Sequence, residues 1–213
     1  MIVPPAPRRW DDPLKRAVDV VAAAGLLVVA SPVIAAVALA VRVKLGSPVL
    51  FRQRRAGRGG EPFELLKFRT MRPAPPGPWT AATDADRLTP LGKALRRWSL
   101  DELPQLVNVL RGDMSLVGPR PLPVEYLPRY SSAQIRRHAV LPGVTGWAQV
   151  NGRNDTDWSR RLQHDVWYVD HRSLALDLRI LARTAYQVVR PHGVSQPGQA
   201  TMTEFTGTEF TGE

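Results

Sequence analysis

Two adjacent carboxylates, Asp101 and Glu102, stand within the segment Arg96 to Arg120, RRWSLDELPQLVNVLRGDMSLVGPR. A neighbouring acidic pair can ligate a hard cation, trade protons, or supply an oxygen nucleophile. Cations recur at short, stiff or glycine-rich positions: Lys67 and Arg69 in LKFRTM, Arg96, Arg120 between Pro119 and Pro121, and Arg153 in VNGRN. Each alone reads as a solvated surface charge. Together with the acidic pair they describe a phosphate site with a divalent metal, because carboxylate and phosphate oxygens suit Mg²⁺, which takes only one or two protein ligands. The set is not a P-loop: no GxxxxGK[ST] occurs, and GRGG lacks the lysine and the following helix. GxSxG and HExxH are absent too.

The acidic pair must be held by what surrounds it. Ser99-x-x-Glu102 has capping-box spacing, but a helix capped at Ser99 would place Pro104 at a position where it forfeits a hydrogen bond. A start at Pro104 suits proline better and hangs both carboxylates on the preceding turn, where the positive helix end favours anions. That helix runs through PQLVNVL and stops at Gly112. Upstream, Ser47 to Met71 reads as a β-hairpin with a glycine-rich, basic turn, and residues 73–90 as a surface loop. Thr89-Pro90 reads as an N-cap with proline at N1, opening a helix through LGKALRRW. Downstream, GDMSLVGPRPLP is a rigid turn, Ser131-Ser132 caps a helix through AQIRRHAVL, and LPGVTGWAQVNGRN is a glycine-punctuated loop. Two closing helices are expected, Trp158 to Arg172 and Leu174 to Val189, the second capped by Ser173, with Leu174, Leu178, Leu181, Ala185 and Val188 on one face for core or membrane-surface packing.

Ahead of all this, residues 17–41 read AVDVVAAAGLLVVASPVIAAVALAV, apolar on every face with Asp19 the sole charge. Such a helix seeks lipid. About 37 Å of helix is long enough to cross a bilayer, so a plain proline-kinked span stays open. Two features favour a re-entrant hairpin. Pro32 has no N–H for the Val28 carbonyl, so Ser31-Pro32 marks a break or bend, with the Ser31 hydroxyl able to serve freed backbone groups. Both flanks are basic, Arg8, Arg9, Lys15 and Arg16 before, then Arg42, Lys44, Arg52, Arg54, Arg55 and Arg58, and the positive-inside rule draws both to the cytoplasmic face.

Composition narrows the rest. The 213 residues carry 29 Lys+Arg against 19 Asp+Glu, a net +10, which calls for an anionic partner. The absence of cysteine excludes disulfide scaffolds, thiolate metal sites and cysteine nucleophiles. A negative mean hydropathy excludes a polytopic membrane protein. A basic module gripping lipid or nucleic acid without catalysis would explain the charge, but the Asp-Glu pair repels phosphate unless a metal or proton intervenes. We therefore expect no nucleic-acid partner.

In order and spacing, KRAVDVVAAAGLLVVASPVIA, FRQRRAGRGGEPFELLKFRTM, LTPLGKALRRWSLDELPQLVNVLRGDMSLVGPRP and LPGVTGWAQVNGRN resemble the bacterial sugar transferases, monotopic polyprenyl-phosphate phosphoglycosyl transferases, over roughly residues 15 to 190. The resemblance implies transfer of a sugar 1-phosphate from a UDP-sugar to a polyprenyl phosphate such as undecaprenyl phosphate, with release of UMP. It makes Asp101 the nucleophile that carries the phosphosugar, Glu102 a Mg²⁺ ligand, and Lys67, Arg69, Arg96, Arg120 and Arg153 the phosphate and substrate contacts. It matches Ser31-Pro32 to the re-entrant break, and it places the site at the cytoplasmic face of the bacterial inner membrane, among anionic phospholipids. The expected fold is α+β and mainly helical: a re-entrant helix-break-helix, a small β-hairpin and surrounding amphipathic helices. The expected divisions are an arm at 1–14, the membrane hairpin at 15–44, the catalytic domain at 45–192 and a disordered tail at 193–213; a homodimer stays open. Larger relatives carry an extra membrane domain ahead of the catalytic part, so the chain resembles a minimal version, and PAPPGPWTAATDADR matches no family motif.

Overall fold

The computed structural model describes residues 12–73, 86–151, 157–189 and 204–207. Helix α1 spans Asp12–Leu45, and an antiparallel hairpin of β1 (Leu50–Ala56) and β2 (Pro62–Phe68) follows. Next come α2 (Pro90–Arg97), a 3₁₀ turn at Leu100–Glu102 and α3 (Gln105–Arg111). Strands β3 (Ser115–Val117) and β4 (Gly143–Thr145) pair in parallel, with 3₁₀ segments Val124–Arg129 and Gln134–Ala139 between them. Helices α4 (Trp147–Asn151), α5 (Trp158–His171) and α6 (Leu174–Val189) close the fold. The protein is mostly helical, as expected from the sequence, with the expected hairpin and a second small sheet that was not expected.

The helix is continuous where an interruption was expected. Asp12–Leu45 keeps helical assignment across Ser31-Pro32. The Val28 carbonyl, deprived of a partner by Pro32, accepts a hydrogen bond from the Ser31 hydroxyl at 2.8 Å, so the loss is made good locally and the ladder resumes. Helix α1 meets the rest of the protein at two places. Near its start, Asp19 and Ala23 are buried, the Asp19 carboxylate accepts from Leu116 N at 3.3 Å, and Arg16 donates to the last carbonyls of α3, Val109 O at 2.7 Å and Leu110 O at 3.1 Å. Lys15 adds a bridge to Asp177 at 2.6 Å. Near its end, Val37 and Val41 pack with Phe68 and Leu95. From Ala24 to Ala36 no residue is buried, and Leu26, Val28, Val29 and Val33 lie exposed. The helix is long and apolar enough to cross a membrane and is compatible with membrane association.

The main core gathers Leu65, Leu106, Val109, Met114, Leu116, Val117, Tyr168 and Ile180 around β2, α3, β3 and α6. Three expectations shift here. The segment around AQIRRHAVL forms a six-residue 3₁₀ turn rather than a full helix, although Ser131 does cap it, accepting from Gln134 N at 3.2 Å. The turn and the glycine loop hold the β3–β4 pair and α4. On α6 the buried positions are Asp177 and Ile180, while Leu178 is 65 % exposed. Asp177 takes the core face because Lys15 and the Tyr168 hydroxyl, which donates to it at 2.7 Å, satisfy its charge. Within the segment 193–213, the described residues are 204–207, where Phe205 is buried against Tyr126, Tyr130 and Trp158.

Candidate active site

The acidic pair lies on the 3₁₀ turn between α2 and α3, which is the placement expected from a start near Pro104. Ser99 makes no capping hydrogen bond and adopts φ 54, a left-handed conformation costly for serine. That kink turns the chain sharply out of α2 and presents Asp101 and Glu102 to β2.

Three devices bring the cations to this turn. Asn108 on α3, fully buried, binds the free edge of β2: its Nδ2 donates to Glu64 O at 2.7 Å and its Oδ1 accepts from Leu66 N at 3.1 Å. Lys67 is thereby held with its Nζ 2.6 Å from Glu102 Oε1. Thr70 anchors α2. Thr89 Oγ1 caps Gly92 N at 3.0 Å and donates to Thr70 O at 3.1 Å, and Gly92 lies so close that a Cβ there would sit 2.0 Å from Thr70 O. One turn on, Arg96 Nε donates to Thr70 Oγ1 at 3.1 Å. Finally, Gly118, Gly143 and Gly146 allow the β3–β4 backbones to touch; a Cβ at Gly143 would meet Gly118 N at 2.0 Å. The exit of β3 is thus fixed, and Arg120 Nη2 reaches Glu102 Oε1 at 2.9 Å. The Arg120 carbonyl accepts from Arg137 at 2.6 Å, and Arg137 is paired with Asp165 in a fully buried bridge at 2.7 Å.

The two carboxylates have opposite electrostatics. Burial resists ionisation of Glu102, but Lys67 and Arg120 overcome it and hold that carboxyl well below its ordinary range. Asp101 is pushed up, by burial first and then by the Glu102 charge, against the pull of Lys67, Arg96 and Arg120. No hydrogen bond to the Asp101 carboxylate is made among the described residues. Around Arg120 positive charge is in excess: Arg55 and Arg161 are each lowered to about 10, by burial and by Arg120. A cluster of arginines of this kind attracts a polyanion. The described contacts of Glu102 engage Oε1, which leaves hard carboxylate oxygens of the pair for a cation. No group of three or more His, Cys, Asp or Glu is gathered for a metal among the described residues. A pair of carboxylates completed by phosphate oxygens is the donor set Mg²⁺ accepts.

Of the residues singled out from sequence, Asp101, Glu102, Lys67, Arg96 and Arg120 come together. Arg69 does not: its Nη1 donates to Ser47 O at 3.1 Å at the end of α1's connection to β1, and none of its contacts reaches the pair. Arg153 lies outside the described residues, and Ser31 and Pro32 lie on α1. Asn108, Thr70, Arg55 and the Arg137–Asp165 bridge were not read from sequence as parts of the site. Asn108 sits between Val107 and Val109 as a polar residue inside an apolar run of α3, which is the signal that marks it. Arg55, counted as a membrane-flank cation, is half-buried beside Arg120 because β1 carries it inward, its Nη2 held by Gln53 at 2.6 Å.

Comparison with known proteins matches residues 10–191 to the family described as bacterial sugar transferase. The chain is 50 % identical to an uncharacterized sugar transferase, EpsL, of Bacillus subtilis, over 91 % of this chain and 96 % of that one. It is 46 % identical to a UDP-glucose:undecaprenyl-phosphate glucose-1-phosphate transferase of Caulobacter vibrioides, over 84 % of this chain and 71 % of that protein. A protein of the same description from Escherichia coli is 44 % identical over 82 % of this chain, which spans 40 % of that longer protein.

Proposed function

Because the chain belongs to the bacterial sugar transferase family, we propose that it transfers a sugar 1-phosphate from a UDP-sugar to undecaprenyl phosphate and releases UMP. The names of two relatives, each 44 % or more identical, support this reaction and make UDP-glucose the first donor to test.

A carboxylate oxygen of Asp101 attacks the phosphorus that bears the sugar. The bond from that phosphorus to the bridging oxygen breaks, and UMP departs with the electron pair. An oxygen of undecaprenyl phosphate then attacks the same phosphorus and displaces Asp101, which returns as a carboxylate. Two displacements let a water-soluble donor and a lipid acceptor use one site in turn. Lys67 and Arg120 hold Glu102 ionised, and Arg96 and Arg120 lie where they favour the ionised form of Asp101. Arg55, Arg120 and Arg161, with Arg153 by family resemblance, receive the phosphates. Mg²⁺, held by Glu102 and phosphate oxygens, would neutralise charge on the transferred group. The single observation that carries this assignment is the division of labour within the pair: Lys67 and Arg120 are bonded to Glu102, and among the described residues Asp101 has no hydrogen-bond partner.

The same observation favours a second reading. Burial raises Asp101, and a carboxyl that keeps its proton is a poor nucleophile, so transfer could pass directly to the lipid with Asp101 as metal ligand or base.

We place the protein on one face of the membrane, the cytoplasmic face of the bacterial inner membrane. Leu27 and Ile34, the inner limits of the two places where α1 packs on the body, are about 10.5 Å apart along the helix, less than the ~30 Å hydrocarbon core. A body that touches both cannot have the membrane between them, so α1 does not cross it. Anionic phospholipids suit the basic residues at both ends.

A UMP-release assay with undecaprenyl phosphate, Mg²⁺ and a panel of UDP-sugars tests the reaction. UMP is expected with the wild-type protein and background release with Asp101→Asn; no UMP from any UDP-sugar would remove the assignment. Single cysteines placed at each end of α1 in this cysteine-free chain should be labelled from the same side. Labelling from opposite sides would restore a spanning helix.

A further inference from the structure

The C-terminal sequence repeats itself: Thr-Glu-Phe-Thr-Gly occupies 203–207 and again 208–212. The first copy is seated in a built pocket. Phe205 is 1 % exposed, stacked on Tyr130 with ring centroids 5.4 Å apart, and contacts Tyr126 at 5.7 Å and Trp158 at 5.4 Å. Leu122, Ile135 and Leu162 complete the apolar floor. Arg129 reads the residues on either side of the ring's attachment: it bridges Glu204 at 2.7 Å and donates to the Phe205 carbonyl. Gly207 has φ 112, a conformation that favours glycine. Glutamate, phenylalanine and glycine recur at the same spacing in the second copy, as Glu209, Phe210 and Gly212.

We propose that this aromatic pocket is a peptide-docking site for the Thr-Glu-Phe-Thr-Gly motif, and that both copies of the motif in the chain serve it, one at a time and in cis. The pocket's other walls face the cationic side of the candidate active site: Arg137 lies over the Tyr130 ring at 5.8 Å and Arg161 over Trp158 at 5.6 Å. Thirteen residues separate Val189, the end of α6, from the first copy and eighteen from the second. For a freely closing loop this difference favours the first copy by only about 1.6-fold, since closure cost grows slowly with length. Phe210 therefore replaces Phe205 when the latter is lost. The tether also supplies a roughly millimolar local concentration, enough to exclude a free peptide.

The test uses the full chain. Phe210→p-benzoylphenylalanine in a chain that also carries Phe205→Ala should, on irradiation, cross-link within one chain to the Tyr126–Tyr130 or Trp158–Leu162 segments. With Phe205 intact the cross-link yield from position 210 should fall by about half or more. A labelled Thr-Glu-Phe-Thr-Gly peptide should bind the Phe205→Ala/Phe210→Ala chain at least tenfold better than the wild type or either single variant. Absence of the cross-link, cross-links only between chains, or equal peptide binding by all four proteins would overturn the proposal. Opening of the pocket by Phe205→Ala alone would refute the role of the second copy.

Discussion

Asn108 offers the sharpest test of how the fold builds the site. Its side chain is fully buried and is the sole described link between the amide edge of β2 and α3 that runs through an amide group: Leu66 N–H to Oδ1 at 3.1 Å, Nδ2 to Glu64 O at 2.7 Å, and Nδ2 to Asp113 Oδ2 at 3.1 Å. Asn108→Ala leaves the buried Leu66 N–H without a partner, at about 1–3 kcal/mol, and removes the bond to the part-buried Glu64 carbonyl, at about 0.5–1.5 kcal/mol. Together they predict a loss of ~1.5–4.5 kcal/mol in unfolding free energy. Asn108→Asp has nearly the same shape and keeps the acceptor for Leu66, yet it turns an oxygen toward two other oxygens, so it should cost at least as much as alanine despite its size. The same change loosens Lys67 from Glu102, and misplacement by about 1 Å predicts a rate loss of up to ~100-fold. Denaturant unfolding in detergent micelles, followed by tryptophan fluorescence, gives the stability, and UMP release gives the rate. An Asn108→Asp protein within about 0.5 kcal/mol of wild type would refute hydrogen-bond complementarity as the reason for this residue.

Two further outcomes follow from close contacts and burial. Gly92→Ala drives a Cβ to 2.0 Å from Thr70 O, so α2 must shift and release Arg96 from Thr70; thermal unfolding and turnover should both drop, by about 1–3 kcal/mol and at least tenfold, and a fully active variant would show that Arg96 does not need this anchor. His138, whose Nδ1 donates to Gly57 O at 3.1 Å, is lowered to about 3 by burial and by Arg137. The unfolded chain takes up this proton below about pH 6.5 and the folded chain only near pH 3, so stability is lost as pH falls through that window, by up to ~1.4 kcal/mol per pH unit. His138→Gln should flatten the acid slope of unfolding stability between pH 6.5 and 4; an unchanged slope would place the acid sensitivity elsewhere.

The parts of the site that were legible in the sequence are those with local causes. Proline at 104 cannot sit deep in a helix, so the acidic pair had to precede α3; Thr89-Pro90 signals a helix start without reference to anything distant, and Thr89 does cap α2. Helices α5 and α6 are long enough for their periodicity to be found by pattern. What escaped depends on contacts distant in sequence. Strands β3 and β4 are three residues each, too short for alternation to register, and their pairing rests on glycines 25 residues apart in the chain. Arg69 and Arg55 carry the same charge at opposite ends of the hairpin: one meets Ser47 at the open end, the other is turned inward toward Arg120, and no local pattern separates them. Asp177 takes the core face of α6 through a partner, Lys15, that lies 162 residues earlier, which no local pattern reveals. The Ser31-Pro32 step illustrates the reverse case: the serine's compensation was legible, and its completeness, sufficient to keep α1 continuous, was not.

The central claim is that Asp101 itself carries the sugar phosphate between donor and acceptor. Purified protein should be incubated with its UDP-sugar and Mg²⁺ in the absence of polyprenyl phosphate, quenched, and examined by intact-mass and peptide mass spectrometry. The account predicts one phosphosugar added per chain, located on the peptide bearing Asp101, absent from Asp101→Asn and discharged by undecaprenyl phosphate. Active turnover with no such adduct, or with the adduct on another residue, would contradict it.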